Sequence, residues 1–186
     1  LLPYYEPIIA SGGVLTEASS HGQSMLMLLD GLQPTGVTTI LLDKNSLISS
    51  LGAAADVNPA LVVQVLGSNS IINLGPVITP VGIAKRGTVI LNSQISYENG
   101  QQLSKEIKFG SLDVLPLAYR EMATIRIQPL HRFDVGMGPG IGGSLKVTGG
   151  TLGVVIDARG RPLSYSEDIA KRRERMITWL RKLEMR

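Results

Sequence analysis

The chain contains no cysteine. Disulfides, thiol nucleophiles and cysteine-ligated metals are excluded with it. Histidine is almost as scarce. His21 and His131 stand far apart in the sequence, so a histidine-based metal site is not expected. Aromatic residues make up 4% of the chain, too few for base-stacking platforms. No apolar run approaches the ~18 residues of a membrane span, and no basic-then-apolar leader opens the sequence. No membrane partner is expected, and the cytoplasm is the expected compartment. The chain starts on Leu1 rather than Met, which reads as a fragment of something longer. What is present suits a folded body: 186 residues, 44% of them apolar and 18% charged.

The net charge of +3 is unevenly placed. Residues 171–186 hold seven of the eighteen Lys/Arg and two of the fifteen Asp/Glu, so the rest of the chain is slightly acidic. The high pI belongs to the tail and not to the body, which disfavours a nucleic-acid-binding domain. The basic tail could still meet nucleic acid, an acidic membrane surface or an acidic partner. A solvated helix docking an apolar stripe is the plainer reading, and self-association is left open.

The texture changes near Gly75. Before it the pattern is α/β. Ile8–Ala10 is a short strand that stops at Gly12-Gly13, and Val14 to Leu32 reads as one helix with Met25, Leu26, Leu28, Leu29 and Leu32 on its apolar side. Gln33-Pro34-Thr35-Gly36 ends it. Thr38–Leu42 is the next strand; Ser46 to Ala55 and Pro59 to Leu66 read as helices, the second capped by Asn58. After Gly75 the pattern is β. Alternating runs flank Asn99-Gly100, predicting a hairpin whose two central residues have positive φ. Thr124–Gln128, Ser144–Thr148 and Leu152–Asp157 are further strands. The last segment is a helix, capped by Ser164 with Glu167 or by Ser166, with a stripe of Ile169, Met176, Ile177, Leu180 and Leu183 beside Trp179.

Ser11-Gly12-Gly13 sits between a strand and a helix. Such a turn brings bare backbone N–H groups to a helix N-terminus, where an anion or a sugar can approach closely. It can equally be a tight turn and nothing more. It lacks the Lys-Ser/Thr of a P-loop and the third glycine of a dinucleotide fingerprint. Downstream, "SSLGAAADVNPALVVQVL" places a glycine and three alanines in a helix, which permits close packing.

Strand, Gly-Gly, helix, strand and a Gly-Ala-Ala helix together resemble the closing segment of the nucleotide-binding domain shared by actin, sugar kinases and heat-shock chaperones. With "LLDGLQPTGVTTILLD", "FGSLDVLPL", "FDVGMGPGIGG" and "LGVVIDARGRPL", nearly the whole chain is similar to the C-terminal part of the MutL-type accessory proteins of glutamate mutase. These are unrelated to mismatch-repair MutL. The resemblance implies an α+β chain. Residues 1–74 would be the C-terminal portion of an actin-like ATPase domain. Residues 75–163 would form a β-rich domain of about five or six mainly antiparallel strands, closed by a basic amphipathic helix at 164–186. It implies ATP with Mg²⁺ as the cofactor of the parent protein, and an adenosylcobalamin-dependent mutase as its partner. Gly12 and Gly13 become candidate nucleotide contacts, with Ser11 beside them. The family's phosphate loops and metal-organising aspartates lie upstream of this motif, where residues 1–7 leave no room for an Asp-x-Gly hairpin. The fragment is therefore expected to be non-catalytic and to bind no nucleotide tightly. The alternative is a freestanding interaction or assembly domain in which Gly12-Gly13 is only a turn.

Other candidates read as structure first. The five glycines of residues 134–143 allow a phosphate cradle but suit a loop better. Asp157, Arg159 and Arg161 could hold an anion but read as a surface turn after a strand. Asp113 and Asp134 have no assignable partner, and no serine has an evident His/Asp pair for hydrolase chemistry.

Overall fold

The computed structural model describes residues 6–68 and 70–184. Its strands are β1 (Ile8–Ser11), β2 (Gly36–Asp43), β3 (Ile71–Thr79), β4 (Val89–Tyr97), β5 (Gln102–Lys108), β6 (Leu112–Leu115), β7 (Met122–Pro129), β8 (Gly143–Thr148) and β9 (Val154–Asp157). Its helices are α1 (Gly13–Thr16), α2 (His21–Leu32), α3 (Leu47–Ala55), α4 (Pro59–Leu66) and α5 (Ile169–Glu184). The chain is α+β, with a five-stranded sheet ordered β1-β2-β3-β9-β6 and a four-stranded sheet ordered β5-β4-β7-β8. The pairs β1/β2 and β3/β9 are parallel; the other pairings are antiparallel.

Three layers follow from side-chain alternation. On β3 and β9, Val77 and Val155 join Met25, Leu29, Trp179 and Leu183 in one cluster. Their neighbours Ile78, Val154 and Ile156 join Ile95, Ile125 and Phe133 in another. Successive residues of a strand point to opposite faces, so α2 and α5 cover one face of the larger sheet and the smaller sheet covers the other. A strand buried on both faces reads as a continuous apolar run, which is what Val154-Val155-Ile156 is, and the buried Asp157 closes it. The smaller sheet has one wet face: β7 alternates exposed and buried residues from end to end.

The larger sheet takes strands from both sides of the expected boundary at residue 75, and β3 runs through it. The β-rich stretch accordingly does not form one sheet. Its β4, β5, β7 and β8 pair together, whereas β3, β6 and β9 extend the sheet begun by β1 and β2.

Several local expectations change. The helix over 14–32 is two helices. Ser20 caps α2 by accepting the Gln23 N–H at 3.1 Å, and the Gln23 side chain reaches back to the Ser19 N–H. This capping-box spacing stops the pattern from running through. The 99–100 hairpin forms, but as a three-residue loop: Gly100 N–H donates to the Tyr97 carbonyl and only Gly100 has positive φ, the signature of a type I turn followed by a bulge. At the last helix neither Ser164 nor Ser166 is the cap. The Asp168 carboxylate accepts from the N–H groups of Ala170 and Lys171. The buried stripe of α5 is Trp179 and Leu183 with half-buried Leu180. Ile169, Met176 and Ile177 face outward.

Candidate functional site

The Gly12-Gly13 turn lies at the carboxyl end of β1, which is an edge strand paired with β2 alone among the described residues. Gly12 has φ 115° and ψ 145°, a conformation that L side chains rarely adopt. Gly13 has ordinary backbone angles, and a Cβ on either glycine would meet nothing within 4 Å. The turn is thus an open shelf. Val14, 80% exposed, continues it as bare apolar surface. Ser11 is exposed and its Oγ lies 3.1 Å from that of Ser46, in the turn that leads from β2 to α3. That turn is held by Asp43, buried, whose two carboxylate oxygens accept from the N–H groups of Leu47 and Ile48 at 2.9 Å each. So the two strand-to-helix turns of a parallel pair meet side by side, the geometry in which open α/β sheets hold ligands.

Two parts of the sequence reading need revision here. The helix after the glycines is a single turn of four residues, so it adds little dipole to attract a phosphate. And the close packing that the "LGAAA" helix permits is not used at its glycine. A Cβ on Gly52 would meet nothing within 4 Å. Instead α3 packs on α4, which buries no residue fully and leaves Leu61, Val63 and Leu66 exposed, as is Val57 in the turn between the two helices.

The shelf is bare backbone with no side chain in the way, next to the apolar surface of Val14. Among the described residues no group of three or more His, Asp or Glu is placed to hold a metal.

The Asp157-Ala158-Arg159-Gly160-Arg161 segment is not a surface turn. Asp157 is fully buried, and Arg159 and Arg161 nearly so. Asp157 Oδ1 accepts from Arg159 Nε at 2.8 Å, and its Oδ2 from Arg159 Nη2 at 2.9 Å and Arg161 Nη2 at 2.7 Å. Arg159 also pairs with Asp30 of α2 at 2.7 Å and lies over the Trp179 ring of α5 at 4.8 Å. Arg161 Nε donates to the Pro34 carbonyl. The segment is an internal clamp joining β9, α2 and α5. Burial alone would raise the Asp157 carboxyl; Arg159 and Arg161 together outweigh it and hold it below its ordinary value. A carboxyl depressed in the folded state contributes stability above its unfolded pKa of about 3.9 and loses it as pH falls further. We therefore expect denaturant midpoints to be insensitive to this group from about pH 7 to 5 and to drop below about pH 4. Part of that drop should vanish in Asp157→Asn, as a urea titration across pH would read out.

The remaining sequence candidates are settled locally. Asp134 Oδ1 accepts from the N–H groups of Gly136 and Gly138, so the glycine loop is wrapped around its own carboxylate and offers those donors to no phosphate. His21 opens α2 and His131 sits in the loop after β7, both at the surface. Asp113, buried, binds Lys105 at 2.9 Å and Lys182 at 3.5 Å, and accepts from the Ser111 hydroxyl. Those lysines stand at the rim of an apolar cleft of about 680 Å³ walled by Val114, Leu117, Leu152 and Leu183. Sequence reasoning missed it because its walls come from β6, two loops and α5, which only the fold brings together. No described helix is long and apolar enough to cross a membrane.

Comparison with protein-family models, with curated proteins and with solved structures finds no match.

Proposed function

We propose that this chain carries the adenosine side of an actin-like ATP cleft, within a protein that serves an adenosylcobalamin-dependent mutase. The observation that carries the nucleotide part is the open Gly12-Gly13 shelf at the carboxyl end of β1, parallel to β2 and flanked by exposed Val14. In this reading the base and ribose lie across Gly12 and Gly13 with Ser11 at their edge. ATP with Mg²⁺ would supply the phosphoanhydride chemistry, and the residues binding its phosphates belong to another segment. This chain alone is then non-catalytic. The mutase partner rests on the sequence resemblance of the segments quoted above.

The test is an ATP titration by calorimetry of the protein isolated from its source cell. Saturable binding is expected, with affinity lowered at least about tenfold in Gly13→Asp, whose carboxylate occupies the shelf and repels the phosphates. Because Gly13 has ordinary angles and open space, that variant should melt within a few degrees of wild type. Wild-type protein with no saturable ATP binding, or a variant that binds as well as wild type, would sink the reading.

One observation favours a second reading, a non-catalytic interaction domain. The α3–α4 hairpin exposes Val57, Leu61, Val63 and Leu66, with Val57 at 86%. Absence of ATP binding together with concentration-dependent association in sedimentation would move the conclusion there.

A further inference from the structure

A pocket of about 390 Å³ opens between the loop after β3, the end of β9 and the start of α5. It is lined by four arginines and by no carboxylate. Two of the four are spoken for: Arg159 and Arg161 face inward onto Asp157 and Asp30. The other two are not. Arg86 donates Nη2 to the Gly110 carbonyl at 2.8 Å, which pins its guanidinium flat against that turn and leaves its charge uncompensated. Arg175 reaches the same pocket from α5. Among the described residues no acidic group lies within ion-pair distance of either. Two core carboxylates on this side are engaged already, Asp157 by both inner arginines and Asp30 by Arg159. Arg86 is exposed and Arg175 half-buried, so water screens part of their repulsion, and an anion between them would lower it further. Burial, and then the charge of Arg175, push the Arg86 guanidinium below its ordinary value, in keeping with that crowding.

The rest of the lining suits one kind of anion. Ser164 and Ser166 add hydroxyl donors on the loop before α5. Guanidinium groups with hydroxyls are the donor set that phosphate oxygens take. Phe109, half-buried, and Ile83, 96% exposed, line the same pocket and add apolar surface to it. An inorganic anion would not need such a wall; a small organic body would lie on it.

We infer that Arg86 and Arg175, with Ser164 and Ser166, form a binding site for the phosphate group of a small phosphate ester. The site shares no residue with the Gly12-Gly13 shelf, so it does not depend on the proposed nucleotide reading.

The experiment is a titration of the chain with inorganic phosphate and with glycerol phosphate, followed by amide chemical shifts and by thermal melting. Sodium chloride at matched ionic strength is the control. Both phosphates are expected to saturate and to raise the melting temperature, with shifts centred on residues 83–86 and 164–175. The ester should bind more tightly than the inorganic ion because only it reaches Phe109 and Ile83. Arg86→Gln should weaken both about tenfold or more. Arg175→Glu should abolish binding and, by replacing a repulsion with an attraction to Arg86, melt no lower than wild type in phosphate-free buffer. Gly13→Asp should leave the phosphate response unchanged. Equal effects of chloride and phosphate, or an undiminished phosphate response in Arg175→Glu, would overturn the assignment. Inorganic phosphate binding as tightly as the ester would overturn the ester as its ligand.

Discussion

Asp157→Asn is expected to lower folding stability by about 3–5 kcal/mol, the cost of removing one partner from a buried ionic group. The side chain keeps its shape, so no cavity enters the balance. What changes is charge and donor count. The carboxylate accepts on Oδ1 from Arg159 Nε and on Oδ2 from Arg159 Nη2 and Arg161 Nη2. An amide offers one oxygen, and its NH₂ would face guanidinium N–H groups. Arg161, buried to the same degree, would retain only the Pro34 and Gly160 carbonyls. Asp30→Asn should cost less, because Asp30 is 21% exposed and water can replace part of what it gives Arg159. Urea unfolding followed by circular dichroism gives both values. A loss below about 1 kcal/mol for Asp157→Asn would mean that the clamp is not fully formed.

The clamp also shows where sequence reading stopped. Asp-Ala-Arg-Gly-Arg-Pro after an apolar run has the composition of a solvated turn, and nothing local says otherwise. Its burial is decided by α5 folding back so that Trp179 covers Arg159, a contact spanning 20 residues, and by Asp30, more than a hundred residues away. The same long-range logic hid β6, a four-residue strand carrying Asp113, which becomes a strand only by pairing with β9. Local chemistry was legible where it decides the outcome locally. Asn58 caps α4, accepting from the Leu61 N–H at 3.1 Å, and alternation places β4, β5, β7 and β8. The Gly12-Gly13 turn was legible as strand, turn and helix. Its shelf-like openness was not, because that depends on Ser19-Ser20 breaking the helix and on α3 leaving to pack on α4. The stripe of α5 was misplaced for a related reason. Leu180 and Leu183 of the expected stripe do pack inward, but hydrophobicity alone also ranks Ile169, Met176 and Ile177 with them, whereas Trp179 beside the stripe joins Leu183 on α2 and the sheet, where Gly22 lets the two helices approach.

Gly75→Ala should be as damaging as the loss of Asp157, about 3–5 kcal/mol, through backbone and not charge. At Gly75 the β2/β3 ladder slips: Ile40 pairs with Gly75 and Leu41 with Asn73, leaving Leu74 as the bulged residue. Gly75 takes φ 131° there. The loop before β9 crosses at this point, its Thr151 and Leu152 N–H groups donating to the Asn73 and Leu74 carbonyls. The crossing is so close that a Cβ on Gly75 would lie 2.3 Å from the Gly153 carbonyl oxygen, and one on Gly150 would lie 2.3 Å from the Gly75 nitrogen. No rotamer change relieves a clash with backbone, so the strand or the loop must move. Either movement strains the β3/β9 pairing that ties the two halves of the larger sheet together. Because Gly150 to Gly153 also line the 680 Å³ cleft, its shape should change with it. Gly13→Ala is the matched control, with ordinary φ and no atom within 4 Å, and should stay within about 1 kcal/mol of wild type. If urea melts placed the two alanine variants within error of each other, the close crossing of loop and bulge would be wrong. So would the account of how β9 enters the larger sheet.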